Sequence, residues 1–261
     1  MRFCAIGDAC VDYYTESGRY YPTGNAVNVA VHVRRLGLET ALVSAIGKDA
    51  MGDEMASFLE KEQLDLSYLL RLPGDTAVTM MDLIEGERLH GEYREGVLRD
   101  FEFASDQIEF ARSHDFLHSA FWGRCDGIMD RIKTDANIVS FDFADRIQDP
   151  LVDRVAPWVD YAFFSYKPGQ DAWIERFLAR QVQRGVQVAV ATFGDQGSMA
   201  CTEEGFFLQD IVAADVVNTV GAGDAFIAGF MHSVATGAHL SQCLDAGARL
   251  AAQVVSRFDP Y

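Results

Sequence analysis

The sequence predicts an α/β fold, in which a mostly parallel sheet is covered by helices on both faces and a small extra β layer lies over one edge. Three observations carry this. Short apolar runs of strand length alternate with helix-like runs along the chain. The strand-like runs are apolar almost throughout, as strands buried on both faces are, rather than alternating with polar residues. Two stretches then break the alternation, "VDYYTESGRYYPTGN" and "TAVTMMDLIEGERLHGEYREGV", with turn residues between short extended runs.

The elements follow in order. "RFCAI" reads as a buried strand ended by Gly7 and Asp8. "NAVNVAVHVRRLG" places Val27, Ala30, Val31 and Leu36 at helical spacing, and Gly37 is positioned as its stop. "TALVSAIG" is a second strand and "GDEMASFLEKEQ" a second helix. The stretch over Thr76–Leu83 alternates, turns at Glu85, Gly86 and Glu87, and alternates again, which predicts a hairpin. Further strands are "DFLHSA", "NIVSFDF", "YAFFS" and "VQVAVATFG", with a helix over 171–184 closed by Gly185. The last third holds short strands over 198–209 and helices over 222–236 and 241–257. The chain is read as one unit, 1–261, with lid segments near 12–23 and 74–98.

Composition sets bounds on function. Nearly half of the 261 residues are hydrophobic, enough for a substantial core. The formal net charge of −17 argues against DNA, RNA or anionic membrane as partners. It does not exclude a nucleotide, which backbone N–H groups can hold locally. The five cysteines, Cys4, Cys10, Cys125, Cys201 and Cys243, form no CxxC pair. A disulfide framework or zinc site is therefore not expected, and a reducing cytoplasm is. The first residues reach Asp8 too soon for a signal peptide, and no apolar run approaches the roughly 20 residues of a membrane span. The expected location is cytoplasmic.

In open α/β sheets ligands bind beyond the carboxyl ends of the strands. Asp8 and Asp12 fall there, as do Gly24, Asn25 and Asn28 at the first helix start, and so does "NTVGAGDAFIAGF", Asn218 to Phe230. A helix beginning at Gly-Ala-Gly offers free N–H groups and partial positive charge to an anion. Asp224 in its first turn either stabilises the helix dipole or accepts a proton from an alcohol while those amides hold a transferring phosphoryl group. Competing motifs fail: Phe226 stands where GxGxxG needs glycine, and Leu42 where a Walker A loop ending at Gly47-Lys48 needs one. His114 and His118 have the spacing of a helical metal pair but flank a strand, so they read as structural histidines.

These residues carry a resemblance. "TGNAVNVAVHVRRLG" and "NTVGAGDAFIAGF" resemble the two signatures of the ribokinase-like (PfkB) carbohydrate kinases, in the family's order, and "TFGDQGS" is similar to its nucleotide-site strand end. The resemblance implies a ribokinase-like three-layer sandwich with a β lid, and transfer of the γ-phosphoryl of ATP, with Mg²⁺, to a sugar hydroxyl. By position it implies Asp224 as general base and the amides of Gly221, Ala222 and Gly223 as anion hole. It implies Asp12, Gly24, Asn25 and Asn28 on the sugar, with Asp8 beside them, and Thr192, Gly194 and Gly197 on the nucleotide. It also implies a homodimer through the lid, where Val78, Met80 and Leu83 offer an apolar face.

Departures from the family pattern are Thr23 in place of a glycine, and Asn218 in place of an aspartate at the monovalent-cation site. Asn218 brings an oxygen but no charge, so a role for K⁺ is left undecided. The family's NxxE element would fall at Ser165–Pro168, where neither end matches, and no residue is assigned to metal. "IGDACVDYY", "GEYREGVLRDFEF", "HSAFWG" and "FDFADR" are similar to segments of the family's fructoselysine 6-kinases, which act on sugars joined to an amino acid's amine. That likeness implies phosphorylation of a 6-hydroxyl, with Glu85, Glu87, Glu92, Glu95, Arg88 and Arg94 available to a zwitterion. Asp142 and Asp145 stand near a strand end, as contacts for sugar or magnesium or as turn caps. The alternatives are a kinase for a plain ketose or other carbohydrate, and a non-catalytic sugar-binding regulator on the same fold.

Overall fold

The structure, a computed structural model, describes residues 1–84 and 87–261, with the backbone alone between 82 and 90. The chain begins with β1 (Arg2–Ile6), β2 (Cys10–Tyr14), β3 (Arg19–Thr23), α1 (Asn25–Arg35), β4 (Glu39–Gly47), α2 (Ala50–Lys61) and β5 (Asp65–Leu72). There follow β6 (Ala77–Ile84), β7 (Glu87–Arg94), α3 (Ser105–Arg112), β8 (Phe116–Ala120), α4 (Met129–Ile132), β9 (Ile138–Asp142) and α5 (Pro150–Val155). The last elements are β10 (Tyr161–Ser165), α6 (Ala172–Gln183), β11 (Val188–Thr192), β12 (Ser198–Thr202), β13 (Gly205–Gln209), α7 (Ala222–Ala235) and α8 (Leu240–Val255).

The large sheet has the order β13-β12-β11-β10-β9-β8-β1-β4-β5. From β11 to β5 every pairing is parallel, and β12 and β13 join antiparallel at one edge. Successive side chains of a strand face opposite ways, and the core follows that rule. Phe3 and Ala5 of β1 pack with α1, α2, α7 and α8, whereas Cys4 and Ile6 pack with α3 to α6. All five cysteines are free and buried.

A second sheet, β3-β2-β6-β7, stands apart from the first. In it β6 pairs antiparallel with β7 as a hairpin, whose predicted turn at Glu85 and Gly86 lies outside the described residues. On its outer face a concavity of about 1380 Å³ is lined by Tyr13, Val78, Met80, Leu72 and Phe101, among others. Strand β5 and helices α3, α4 and α5 are additions to the sequence reading. β5 is partly exposed along its length and mixes charged with apolar residues, which hides it from a search for continuous apolar runs.

The strand order puts the ligand region in one place. From β1 the chain steps outward through β4 to β5, then crosses back to β8 and proceeds to β13. The reversal opens a crevice at the carboxyl ends of β1 and β8. Helix α7 is set beside it by a close crossing with α8, since a Cβ added at Gly229 would lie 2.7 Å from the Ala246 carbonyl oxygen. Gly247 is as tight, its added Cβ falling 2.8 Å from the Phe226 carbonyl. Gly229→Ala should therefore force the helices apart and cost about 1–3 kcal/mol, read as a lowered midpoint in urea denaturation.

Candidate active site

Helix α1 starts in the crevice without a side-chain cap of its own, because Gly24 occupies the N-cap. The cap comes from Asp8, beyond β1, whose carboxylate accepts from the backbone N–H of Asn25 at 3.0 Å and of Ala26 at 3.5 Å. A Cβ on Gly24 would fall 2.6 Å from the Asp8 carbonyl oxygen, and its φ is +118°. Only glycine accommodates both demands. Asn25 is thus the first helical residue, not the cap, and its side chain is released for other work.

Asn25 and Asn28, three residues apart, share one helix face. The Asn25 carboxamide donates to Asp142 Oδ2 at 2.8 Å and to Asp224 Oδ1 at 2.7 Å. Asn28 Nδ2 donates to the other oxygen of Asp224 at 2.7 Å. The structure therefore joins Asp8, Asn25, Asn28 and Asp224 directly, and adds Asp142 from the end of β9. The buried Asn28 Oδ1 has no hydrogen-bond partner among the described residues, and such an acceptor suits a ligand hydroxyl. Asp12 is buried on β2, in register with Tyr21 and Thr79.

Burial pushes the Asp224 carboxyl well above the usual carboxylate range. The Asn28 amide pulls it back, and the charges of Asp142, Asp8 and Asp12 push it further up. Burial likewise raises Asp142 to about 6, opposed by the Ala144 N–H and the Asn25 amide and reinforced by Asp8 and Asp145. Asp8 is raised by burial against its backbone hydrogen bonds. These carboxyl groups act on one another across one volume, an arrangement common at sites of proton transfer. Tyr93 of β7 faces the same volume, its phenol held neutral by burial and by Cys10 and Asp8.

Asp224 lies in the first turn of α7, where Gly221 is the N-cap with φ 79°. The Ala222 N–H turns back to the Thr219 carbonyl at 3.3 Å, so it is less available to an anion than the sequence suggested. The N–H groups of Gly223 and Asp224 have no helical acceptor. Asn218 organises this turn: its Oδ1 accepts the Val220 N–H at 3.0 Å, and its Nδ2 donates to the Phe258 carbonyl at 2.8 Å.

Thr192, Gly194 and Gly197 lie elsewhere, around the turn from β11 to β12 and three strands from β8. Gly194 and Gly197 have positive φ there, and a Cβ on Gly197 would meet the Gln209 carbonyl at 2.3 Å. Unforeseen from sequence is a groove of about 450 Å³ between residues 212–214 and Arg249, Ala252 and Gln253 of α8, with Ser256 just after it. It adjoins the α7 turn, since the N–H groups of Val217 and Asn218 both bond the Val255 carbonyl.

His114 and His118 do not act together. His114 Nδ1 bonds the Phe110 carbonyl at 2.9 Å, whereas His118 is buried beneath Asn25. Among the described residues no group of three or more His, Cys, Asp or Glu side chains is arranged to hold a metal ion. Of the acidic hairpin residues, Glu92 pairs with Arg94, and Glu95 with Arg99 and Arg124. Glu85 lies outside the described residues, as do the side chains of Glu87 and Arg88, and of Leu83 in the expected apolar face. Asp145 is exposed and pairs with Arg146. At the rim, the Arg146 guanidinium sits 5.4 Å from the ring centroid of Trp122 and 5.8 Å from that of Phe121.

Comparison with known proteins agrees with this architecture. Residues 5–120 and 162–261 match the pfkB family carbohydrate kinase pattern. The chain is 32% identical over 250 residues to the fructoselysine 6-kinase of Escherichia coli (strain K12), covering 96% of this chain and 95% of that protein. It is 31% identical over 257 residues to the fructosamine kinase FrlD of Bacillus subtilis (strain 168), covering 97% and 90%. The fold superposes on Arabidopsis thaliana ribokinase complexed with ribose and ATP with a TM-score of 0.88, at 19% identity over 99% of this chain and 93% of that one. With its family pattern, its fold and its relatives in agreement, the chain belongs to the pfkB family of carbohydrate kinases.

Proposed function

We propose that the chain transfers the γ-phosphoryl group of ATP to the 6-hydroxyl of fructoselysine or another glycated amino acid. The observation that carries this reading is the half-buried Asp224, held by two amides beside a helix N-terminus, in a field of further carboxylates. Its role is general base for the acceptor hydroxyl. The Gly221–Gly223 turn and the first-turn amides of α7 face the transferring phosphoryl, and Asp8, Asp12, Gly24, Asn25 and Asn28 form the sugar side. The largest charged influences on Asp224 come from carboxylates, Asp142, Asp8 and Asp12, which suits a substrate bearing a cation. A secondary ammonium joined to the sugar is such a cation. At the rim, Arg146 beside Trp122 suits the amino-acid carboxylate and its aliphatic stem.

On the nucleotide side we assign Thr192, Gly194 and Gly197, together with the groove between residues 212–214 and α8. Its small residues allow a flat base to enter. Mg²⁺ fits as an ion carried largely by the phosphates, which needs few protein ligands and agrees with the lack of a side-chain cage among the described residues.

The substrate reading is tested by ADP release with fructoselysine, fructose, ribose and adenosine. Fructoselysine should give the highest kcat/KM, and turnover of adenosine alone would sink the proposal. Asp224→Asn should lower kcat by about 10²–10⁴-fold and leave sugar binding, measured by calorimetry, nearly unchanged. A non-catalytic regulator would show no turnover to lose.

A base with a raised pKa works only once it has lost its proton. kcat/KM should therefore rise with pH along an acid limb lying above the ordinary carboxylate range. Asp142→Asn removes one of the negative neighbours, so that limb should move to lower pH in a pH–rate profile. Asn218 supplies the last expectation. Its amide is neutral and already engaged on both sides, with Val220 and Phe258, so a cation would have to displace a hydrogen bond. Exchanging K⁺ for Na⁺ at constant ionic strength should leave kcat unchanged within error.

A further inference from the structure

His118 is fully buried in β8, between β1 and β9, with 0% of its surface exposed. A buried imidazole is costly unless both its nitrogens are paired, and both are. Nδ1 lies 2.9 Å from Ser140 Oγ, on its register partner in β9. Nε2 lies 3.0 Å from Asn25 Oδ1. The direction of these bonds follows from the groups beyond them. Asn25 turns its NH₂ toward Asp142 and Asp224, because its carbonyl oxygen there would face two carboxylates. The Asn25 oxygen is an acceptor only, so Nε2 of His118 must carry a hydrogen and donate it. In the neutral ring Nδ1 is then an acceptor for the Ser140 hydroxyl, whose single hydrogen has two acceptors within reach, Nδ1 at 2.9 Å and the Leu117 carbonyl oxygen at 3.1 Å. Burial favours that neutral ring, lowering the imidazole to about 3. One chain of hydrogen bonds thus runs from His118 through Asn25 to both carboxylates.

We propose that His118 is a positioning residue for phosphoryl transfer, fixing the Asn25 carboxamide so that both its hydrogens are presented to Asp142 and Asp224. The inference rests on Asp224 as the base. Without the Nε2 donor, the Asn25 amide loses the contact that opposes its flip, and Asp224 loses one of the two amides that aim it. A misplacement of that kind acts on kcat, not on nucleotide binding.

The test compares His118→Gln with His118→Asn. The glutamine amide nitrogen reaches the place of Nε2 and can donate to Asn25, whereas the shorter asparagine amide reaches only the place of Nδ1. The glutamine variant should keep kcat close to wild type. The asparagine variant should lose about 10- to 100-fold, with the KM for ATP unchanged and a comparable Tm. A core histidine with no positioning role predicts equal kcat for the two variants, and that result, or a better asparagine variant, overturns the proposal. The ¹⁵N imidazole shifts of the wild-type protein give a second reading that needs no substitution. An Nε2–H tautomer is expected, and an Nδ1–H tautomer would refute the inference. If Asp224→Asn keeps kcat, the base assignment itself fails. If Asp224→Asn loses it and the two His118 variants are equal, only the role of His118 does.

Discussion

The site depends on one carboxamide holding two acids together. Asp142 comes from the end of β9 and Asp224 from the start of α7, and each is pushed toward its neutral form by burial and by the other acids. Two like charges in a poorly hydrated crevice repel strongly. The Asn25 NH₂ group gives one hydrogen to each, which makes a shared ligand of what would otherwise be a repulsive contact. Asn25 has this freedom because Asp8, not Asn25, caps α1, and Asp8 reaches the helix because Gly24 lets the backbone approach closely. Remove any member and the others lose either a partner or a position.

The same arrangement explains how a strongly acidic chain sets up chemistry on a polyanion. The formal charge of −17 is a poor general attractor for phosphate, so local structure has to do the attracting. At α7, peptide dipoles and first-turn N–H groups converge next to Asp224. An anion-favouring helix end and a carboxylate are thereby placed side by side without a lysine or arginine between them in the chain. The glycines at 221 and 223 permit this by keeping side chains away from the turn.

The parts legible in the sequence are those whose geometry is local. Gly-Ala-Gly followed by Asp224 marks a helix start wherever it occurs, and Asn25 and Asn28 share a face by spacing alone. The parallel sheet follows from unbroken apolar strands, though β5 escaped because charged residues interrupt it. What could not be read depends on strand order. Asp142 meets Asn25 across 117 residues and His118 meets it across 93, and both contacts exist only because β8 and β9 lie on the far side of β1 from β4. His118 looked like an ordinary core histidine for the same reason. Its second nitrogen acquires meaning only when α1 is laid over β8. The spacing of His114 and His118 matches a helical metal pair, but the strand they flank already reads them as structural histidines, and they bond separate partners, the Phe110 carbonyl and Asn25.

The segment after α8 ties the two ends of the site together. Phe258 packs near Tyr14 and Tyr21 of the small sheet, at 5.5 and 5.9 Å between centroids, and its carbonyl accepts from Asn218. Pro260 lies against Gly221 and offers its carbonyl to His32 at 3.0 Å. The Tyr261 hydroxyl donates to the Pro22 carbonyl at 2.5 Å. One short stretch therefore touches the turn before α7, helix α1 and strand β3. Asn218 is the hinge of that brace, because its carboxamide bonds at once to the α7 turn and to the segment after α8. A carboxylate at 218 would accept from Val220 but would face the Phe258 oxygen with no hydrogen to give. Asparagine at 218 thus does more than lack a charge: its amide makes a direct hydrogen bond where a carboxylate would leave two oxygens facing each other.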